Sequence, residues 1–391
     1  MANEVGSKRN QSRAALMVVL LAVLTGCGAA GSGVASIEKV GELAFFDPSL
    51  SASGQLACAS CHAPETGHAA LNNLAAQLGG VYMNVQGLRN SQPLRYLRLN
   101  QAFRIDVDGT PVGGFFWDGR ANSLEEQAAG PLLGAREMAN ADKAAVVLKI
   151  AQSAWARQFK AVFGERILED VDLAFDRLTD ALAQYQRGDL IFNGYSSKYD
   201  AFLRGQTALS DAETRGLALF NDPDKGNCAS CHPSDKQADG SHPLFTDFTY
   251  DNLGVPRNLE IVRNLDANYF DLGLCGRADL ASQTQWCGAF KVPSLRNVAL
   301  RKAYFHNGKF KNLTDVVSFY VQRDTQPEKW YSRNSDGSVN KFDDLPQAYK
   351  GNVNTTEAPY NRSTGQLAAL TDSEIQDVIA FLSTLTDGWH P

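Results

Sequence analysis

The chain has 391 residues, 44% of them hydrophobic and 20% charged, with seven cysteines, six histidines and four methionines. That composition excludes a disordered or fibrous protein and leaves room for two domains with cores of their own. A formal charge of −6, with no Lys/Arg cluster beyond the extreme N-terminus, argues against nucleic acid as a partner.

Residues 1–26 read as an export signal. Lys8, Arg9 and Arg13 give a positive start, and Ala14 to Leu24 is an uncharged run too short to span a bilayer but suited to a signal-peptide core. The ending Leu24-Thr25-Gly26-Cys27 resembles a bacterial lipobox, whose Cys is lipidated and becomes the first mature residue. A plain secretory cleavage is the alternative. Either exports the chain, and the lipobox implies a periplasmic lipoprotein anchored to the outer membrane. Free thiols are unusual in an oxidising compartment, so the six remaining cysteines carry information.

Four of them form Cys58-Ala59-Ser60-Cys61-His62 and Cys228-Ala229-Ser230-Cys231-His232, two copies of the C-x-x-C-H signature of c-type haem attachment. Two thiols three apart on a tight turn reach the two vinyl groups of a porphyrin, and the next residue turns an imidazole onto the iron. Composition alone predicts about 0.002 occurrences in a chain of this length. A zinc site would want four ligands from converging knuckles, whereas here each Cys pair carries its own His. Two covalently bound c-type haems are therefore expected. Phe46-Asp47-Pro48 with Gly54 precedes the first motif and Phe220 with Asp222-Pro223 and Gly226 the second, so the chain reads as a duplicated unit with an offset of 170 residues.

Helical signals fall at Ser123 to Ala129, Ala141 to Phe163, Val171 to Gln186, Asp211 to Phe220 after a Ser210/Glu213 capping box, Leu313 to Arg323, and a last helix opened by Thr371-Asp372-Ser373-Glu374. Strand-like alternation is scarce. The expected fold is mainly α, with two cytochrome c-like haem domains over residues 37–204 and 205–391, the final helix packing back on the first, and long irregular loops. Residues 331–366, rich in Asn, Ser, Gly and Asp, form a loop whose length marks it as functional or poorly ordered. Cys275 and Cys287 are left over, and a disulfide is the economical assignment.

What fills the sixth position of each iron decides between electron transfer and peroxide chemistry. The methionines are Met1, Met17, Met83 and Met138, so the second half contains none, and a His/Met second haem built from its own half is impossible. His242, His306, His390 and several tyrosines remain as candidates. Tyr320, read without further context, is a core aromatic sharing a helix face with Val316 and Val317.

The segments FFDPSLSASGQLACASCH, FFWDGRANSLEEQAAGPLLGAREM, KVPSLRNVAL and YFHNGKFKNL resemble the bacterial dihaem cytochrome c peroxidases and their MauG-like relatives. In the peroxidases a Met follows the His of the F-H-x-G motif by fourteen residues and ligates the second iron; in MauG that place is Tyr. Here it is Tyr320, so the resemblance implies a His232/Tyr320 haem. The removable His of the peroxidases, about sixteen residues after the first proximal His, is replaced by Leu78, which implies a five-coordinate, peroxide-reactive His62 haem. His68 follows His62 too closely to reach the opposite face and is expected on the surface.

The resemblance further assigns Trp117 to the position between the haems, a core Trp being the bland alternative, and Gln127 and Glu137 to the peroxide side of the first haem, with Glu125 and Glu126 as rivals. It implies a calcium ion between the haems, held by Asn90 and by the backbone carbonyls of Arg301 and Ala303, although Arg301 and Lys302 stand where the family is neutral. The Cys275/Cys287 pair and the segments YVQRDTQPEKWY and NVNTTEAPY look like the MauG-related subgroup that includes MbnH, where peroxide-derived oxidising equivalents convert a tryptophan of a partner protein. The implied activity is a haem peroxidase that takes hydrogen peroxide to high-valent iron and oxidises a periplasmic partner protein by long-range electron transfer. The alternatives are a cytochrome c peroxidase fed by a small cytochrome or cupredoxin, and a non-catalytic dihaem electron carrier.

Overall fold

Each half of the chain is built around a helix that lies just before its C-x-x-C-H motif and crosses the last long helix of that half. In the computed structural model, which describes residues 35–391, the helices in chain order are α1 (Ile37–Phe45), α2 (Cys58–Cys61), α3 (Leu124–Leu133), α4 (Lys143–Gln152), α5 (Ala156–Phe163), α6 (Val171–Gly188), α7 (Leu190–Asn193), α8 (Lys198–Leu203), α9 (Asp211–Asn221), α10 (Leu313–Gln322) and α11 (Asp372–Ser383). The signal segment and Cys27 lie outside the described residues. No helix among the described residues is long and apolar enough to cross a membrane.

The two crossings, α1 on α6 and α9 on α11, use the same device. Gly41 of α1 lies so close to the Ala181 carbonyl of α6 that a Cβ would collide with it, and Gly216 of α9 stands in the same relation to the Asp377 carbonyl of α11. Without a side chain at the crossing, the backbones approach closely and flanking residues interlock. Phe45 and Phe220, each 1% exposed, follow four residues after those glycines and sit in the two cores. The first core runs from Val40 through Leu132, Ile150, Phe159 and Leu178 to Phe192; the second runs from Tyr199 through Phe245, Val317 and Phe319 to Leu385. The two halves therefore repeat their helix crossing at a different offset from their Cys motifs. The Cys motifs are offset by 170 positions, but Gly41/Gly216, Phe45/Phe220 and Asp47/Asp222 are offset by 175, so the first half carries a turn five residues longer before its haem motif.

The capping boxes form as read: Ser210 with Glu213 opens α9 and Thr371 with Glu374 opens α11. The helix expected over Ala141 to Phe163 is instead two helices. Ser153 turns extended at ψ 157° and its hydroxyl bonds the Ile150 carbonyl, closing α4; Trp155 then opens α5 and sends its indole N–H to Asp47. The apolar periodicity continues through this break because both helices cover the same core. At Ser123 the cap is not a reciprocal box: the Ser123 hydroxyl accepts from the Glu126 N–H, while the Glu126 carboxylate accepts from the Asn122 N–H. The segment 331–366 contains a turn of 3₁₀ helix at Gln347–Asn352 and buries Phe342, Leu345, Val353 and Tyr360.

β-structure is limited to three two-stranded antiparallel pairs among the described residues: β1 (Leu78–Gly79) with β2 (Val85–Gln86), β3 (Arg104–Ile105) with β4 (Pro111–Val112), and β5 (Tyr250–Asp251) with β6 (Phe290–Lys291). The last pair is continued across the molecule, because the Lys291 N–H donates to the Trp117 carbonyl at 2.9 Å and the Tyr250 hydroxyl to the Gly113 carbonyl at 2.6 Å. Charge pairs close the same seam. Arg89 grips Asp271 through Nε and Nη2 and Asp118 through Nη1, and Arg95 meets Asp387. The Cys275–Cys287 disulfide is formed.

The glycine crossing gives a direct test of the packing. Gly41→Val should destabilise the haem-loaded protein by about 2–3 kcal/mol through overpacking at the Ala181 carbonyl. A thermal or urea midpoint equal to that of the parent would show that α1 and α6 are not in backbone contact.

Candidate haem and peroxide site

Both C-x-x-C-H motifs fold into one tight turn. Cys58 to Cys61 is a single helical turn and Cys228 to Ser230 a 3₁₀ turn; in each, the His N–H returns to the carbonyl of the first Cys at 2.9 Å. All four cysteines are unpaired thiols, and burial pushes Cys58 and Cys228 up to about 12 and Cys61 and Cys231 up to about 11, which keeps them neutral. His62 Nδ1 lies 3.2 Å from the His68 carbonyl and His232 Nδ1 2.7 Å from the Phe245 carbonyl. That bond fixes the imidazole tautomer and leaves Nε2 as the metal-facing nitrogen, the usual outer support of a ligating His. Burial lowers the His62 pKa to about 4 and lowers that of His232, so both rings are neutral. The donor set fits one covalently attached haem in each half.

Each motif opens onto its own cavity. The first, about 640 Å³, is lined by Cys58, Cys61 and His62 on one side and by Gln127, Glu137 and Leu78 elsewhere on its wall. The second is lined by Cys228, Cys231 and His232 together with His306, Tyr320 and Tyr360. Trp117 lines both. It is 5% exposed, its indole N–H donates to the Asn90 carbonyl at 2.8 Å, and its own carbonyl accepts from Lys291, so the ring has no freedom to leave the wall it forms.

Around the first cavity the carboxylates separate by their partners. Glu125 is paired with Arg187, and Glu126 caps the α3 entry. Glu137 makes no hydrogen bond with its carboxylate among the described residues, and neither does the Gln127 side chain. Both face the cavity. Glu137 is accessible from the cavity, yet the surrounding protein desolvates it and raises its pKa above the ordinary Glu range, with Arg120 opposing. Gly134 lies against it, a Cβ there falling 2.5 Å from a Glu137 carboxylate oxygen.

In the second cavity no methionine is present on the wall; among the described residues Met83 and Met138 belong to the first core. Tyr320, one turn from the end of α10, is held between Phe305, at 5.7 Å between ring centroids, and Tyr360, at 6.1 Å. Its hydroxyl makes no hydrogen bond to protein among the described residues. Burial raises its pKa, so without a cation the phenol stays protonated. His306 stacks on Phe290 at 3.5 Å, with its ring neutral because burial lowers its pKa to about 3.

Comparison with known proteins agrees with this layout. The family model for di-haem cytochrome c peroxidase matches residues 35–208. The methylamine utilization protein MauG of Paracoccus denitrificans is 36% identical over 366 residues, covering 90% of this chain and 89% of that one. The chain belongs to the di-haem cytochrome c peroxidase and MauG family. Among solved structures, the diheme peroxidase BthA from Burkholderia thailandensis superposes with a TM-score of 0.82 at 39% identity, covering 90% of this chain and 86% of that one. A MauG-like protein associated with microbial copper homeostasis gives 0.63 at 26% identity, with 90% and 89% covered. Two c-type haems and haem-dependent peroxidase chemistry follow from the family.

Against this family background one expected position falls elsewhere. His68 is not a surface residue. It is fully buried with φ +57°, because the turn after His62 must bring the His68 carbonyl to His62 Nδ1, and that turn folds the His68 ring onto Phe192 at 4.0 Å. The calcium set is brought together only in part. Asn90 Nδ2 donates to the Ala303 carbonyl at 3.0 Å and to the Phe305 carbonyl at 3.3 Å, while the Arg301 carbonyl accepts from the Tyr304 hydroxyl at 2.9 Å. No donor among the described residues reaches Asn90 Oδ1, the side-chain oxygen that a cation would use. Lys291 is the residue that motif reading passed over. It lines both cavities, its amine donates to the Gly114 carbonyl at 2.5 Å, and burial pushes its pKa down to about 7. A lone Lys between Phe290 and Val292, in a segment otherwise apolar, was the available signal.

Replacing Tyr320 by Phe removes the phenol oxygen and preserves the ring packing. The low-spin spectrum of the second haem should change in this variant while the first haem's stays put. An unaltered spectrum would remove Tyr320 as a ligand.

Proposed function

We propose that this protein is a MauG-like enzyme of the periplasm. It reduces hydrogen peroxide at the His62 haem and draws the two electrons from an aromatic side chain, a tryptophan, of a partner protein, by way of Trp117 and the haem held by His232 and Tyr320. The observation that carries this reading is the wall of the second cavity, which offers tyrosine phenols and no thioether. Similarity to MauG over nine-tenths of the chain supports it. When bound, the irons supply the reduction of peroxide and the storage of its two oxidising equivalents.

The chain's own residues do the rest. Leu78, rather than an imidazole, stands on the wall of the first cavity, which leaves room for peroxide beside Gln127 and Glu137. The Glu137 carboxylate takes the proton from the near oxygen of peroxide and returns it to the departing one, so that water leaves. Gln127, with its amide free, orients the peroxide by hydrogen bonding. Trp117, pinned at both its indole N–H and its carbonyl, passes electrons between the cavities with no rearrangement of its surroundings. Tyr320 donates more charge than a thioether and therefore lowers the potential of the second site, the direction needed to hold an oxidising equivalent there until the partner delivers its electron.

Two measurements test the reading. One equivalent of hydrogen peroxide added to the fully oxidised protein should change the spectra of both haems without any electron donor. A reaction that begins only after one haem has been pre-reduced would favour a cytochrome c peroxidase. As general base, Glu137 must be ionised. The peroxide rate should therefore fall as pH drops through its raised pKa, and Glu137→Gln should abolish that limb and slow the step about 10²–10⁴-fold. A Gln variant retaining the parent rate and pH profile would exclude Glu137 from proton transfer.

A further inference from the structure

Among the buried arginines of the described residues one has no partner. Arg296 is neutralised by both oxygens of Asp200 and bonds the Pro243 carbonyl. Arg323 pairs with Asp324 and also donates to the Leu253 and Asn354 carbonyls. Arg301 is 6% exposed, and its Nε and Nη2 atoms are buried with nothing to donate to. No carboxylate lies within ion-pair reach of it among the described residues, and its nearest electrostatic neighbour is the face of Tyr304 at 5.9 Å. An aromatic face at that distance returns far less than desolvating a guanidinium costs. The absence of a counter-charge lets burial push even this guanidinium down to about 10.

Arg301 lines the second cavity, the one that receives the haem attached at Cys228 and Cys231. A haem tied through its vinyl groups carries its only anions, two propionates, on the opposite edge of the macrocycle. We propose that the Arg301 guanidinium is held for a propionate carboxylate of the second haem, the ion pair being completed by the cofactor rather than by the protein. The inference rests on that haem filling this cavity and not on the identity of its sixth ligand. It gives the position a role through its side chain, distinct from any use of its carbonyl, which already serves Tyr304. A planar guanidinium matches a carboxylate with two parallel N–H donors, and the two orphaned nitrogens, Nε and Nη2, are the pair that forms such a fork. Neutralising a propionate beside the iron favours the reduced state. Arg301 therefore works against Tyr320, tempering how far a phenol ligand lowers the potential.

The test uses the full chain with both haems, as Arg301→Gln and Arg301→Lys, reading the midpoint potential of each haem and the propionate bending mode by resonance Raman. In Arg301→Gln the second haem should shift to lower potential by at least tenfold in its oxidised-to-reduced ratio, about 59 mV for one electron. Its propionate mode should move as well, and the first haem should be unaffected. Arg301→Lys, which keeps the charge, should recover most of the potential. A second haem with unchanged potential and propionate mode in Arg301→Gln overturns the proposal. Loss of the second haem in the Gln variant but not the Lys variant supports it. If neither variant retains that haem, the parent decides: a propionate mode at the frequency of a solvated carboxylate overturns the pairing, and a shifted one supports it. Tyr320→Phe leaves the propionate mode in place, so an error in the axial ligand shows in the low-spin spectrum and is not confused with an error here.

Discussion

The molecule depends on how one indole is held. Trp117 belongs to the first half by sequence, but its carbonyl is bonded by Lys291 of the second half and its N–H is bonded to the Asn90 carbonyl, while the Asn90 N–H in turn bonds the carbonyl of His306. The ring thus becomes part of the wall between two cavities rather than a side chain lying in one of them. Electron transfer through an aromatic is fast only when nothing must move with it, and this arrangement leaves the indole no alternative rotamer without breaking its hydrogen bond to the Asn90 carbonyl. The charge pairs that flank it serve the same end. Arg89 bonds Asp118, the residue after Trp117, and at the same time Asp271 from the other half, so the turn that presents the indole is clamped from both sides. Buried pairs of this kind contribute little net stability, but breaking one is costly, which suits a joint whose register must not slip.

Much of this was legible because covalent chemistry imposes strict spacing. Two thiols and an imidazole within five residues leave few interpretations, and the expected turns, capping boxes and disulfide are found. Tyr320 was legible by its distance from His306, not by its own surroundings, since a half-buried Tyr on an amphipathic helix is ordinarily packing. What separates Glu125, Glu126 and Glu137 was not readable from sequence: Arg187 reaches Glu125 across 62 residues, Glu126 caps its own helix, and Glu137 lines the cavity. His68 was misread because its burial follows from the backbone turn that serves His62, a consequence of the haem ligand's outer support rather than of local polarity. The helix α1 was passed over although Ser36 caps it and Ile37, Val40, Gly41 and Ala44 recur at helical spacing, and the glycine crossings show that the 175-residue offset of Asp47/Asp222 belongs to the helices.

What ties the two cavities together is a contrast in how charge is settled. Most ionisable side chains that leave solvent find partners within the chain: Arg89 with Asp271, Arg95 with Asp387, Arg296 with Asp200, Arg323 with its neighbour Asp324. Three groups that line the cavities do not. Glu137 faces the first cavity with its carboxylate unbonded and its pKa raised by desolvation, Tyr320 is half-buried with its hydroxyl unbonded, and Arg301 is buried with two donors idle. A folded chain bears such costs where the missing partner arrives from outside it. Each unpaired group also has the polarity its visitor requires: a carboxylate of raised pKa for the proton of peroxide, a phenol that becomes anionic only against a metal cation, and a guanidinium for a carboxylate. The polarity of each group matches the cofactors and substrate that the haem motifs call for, so the side-chain electrostatics and the covalent chemistry of the cysteines support the same proposed reaction.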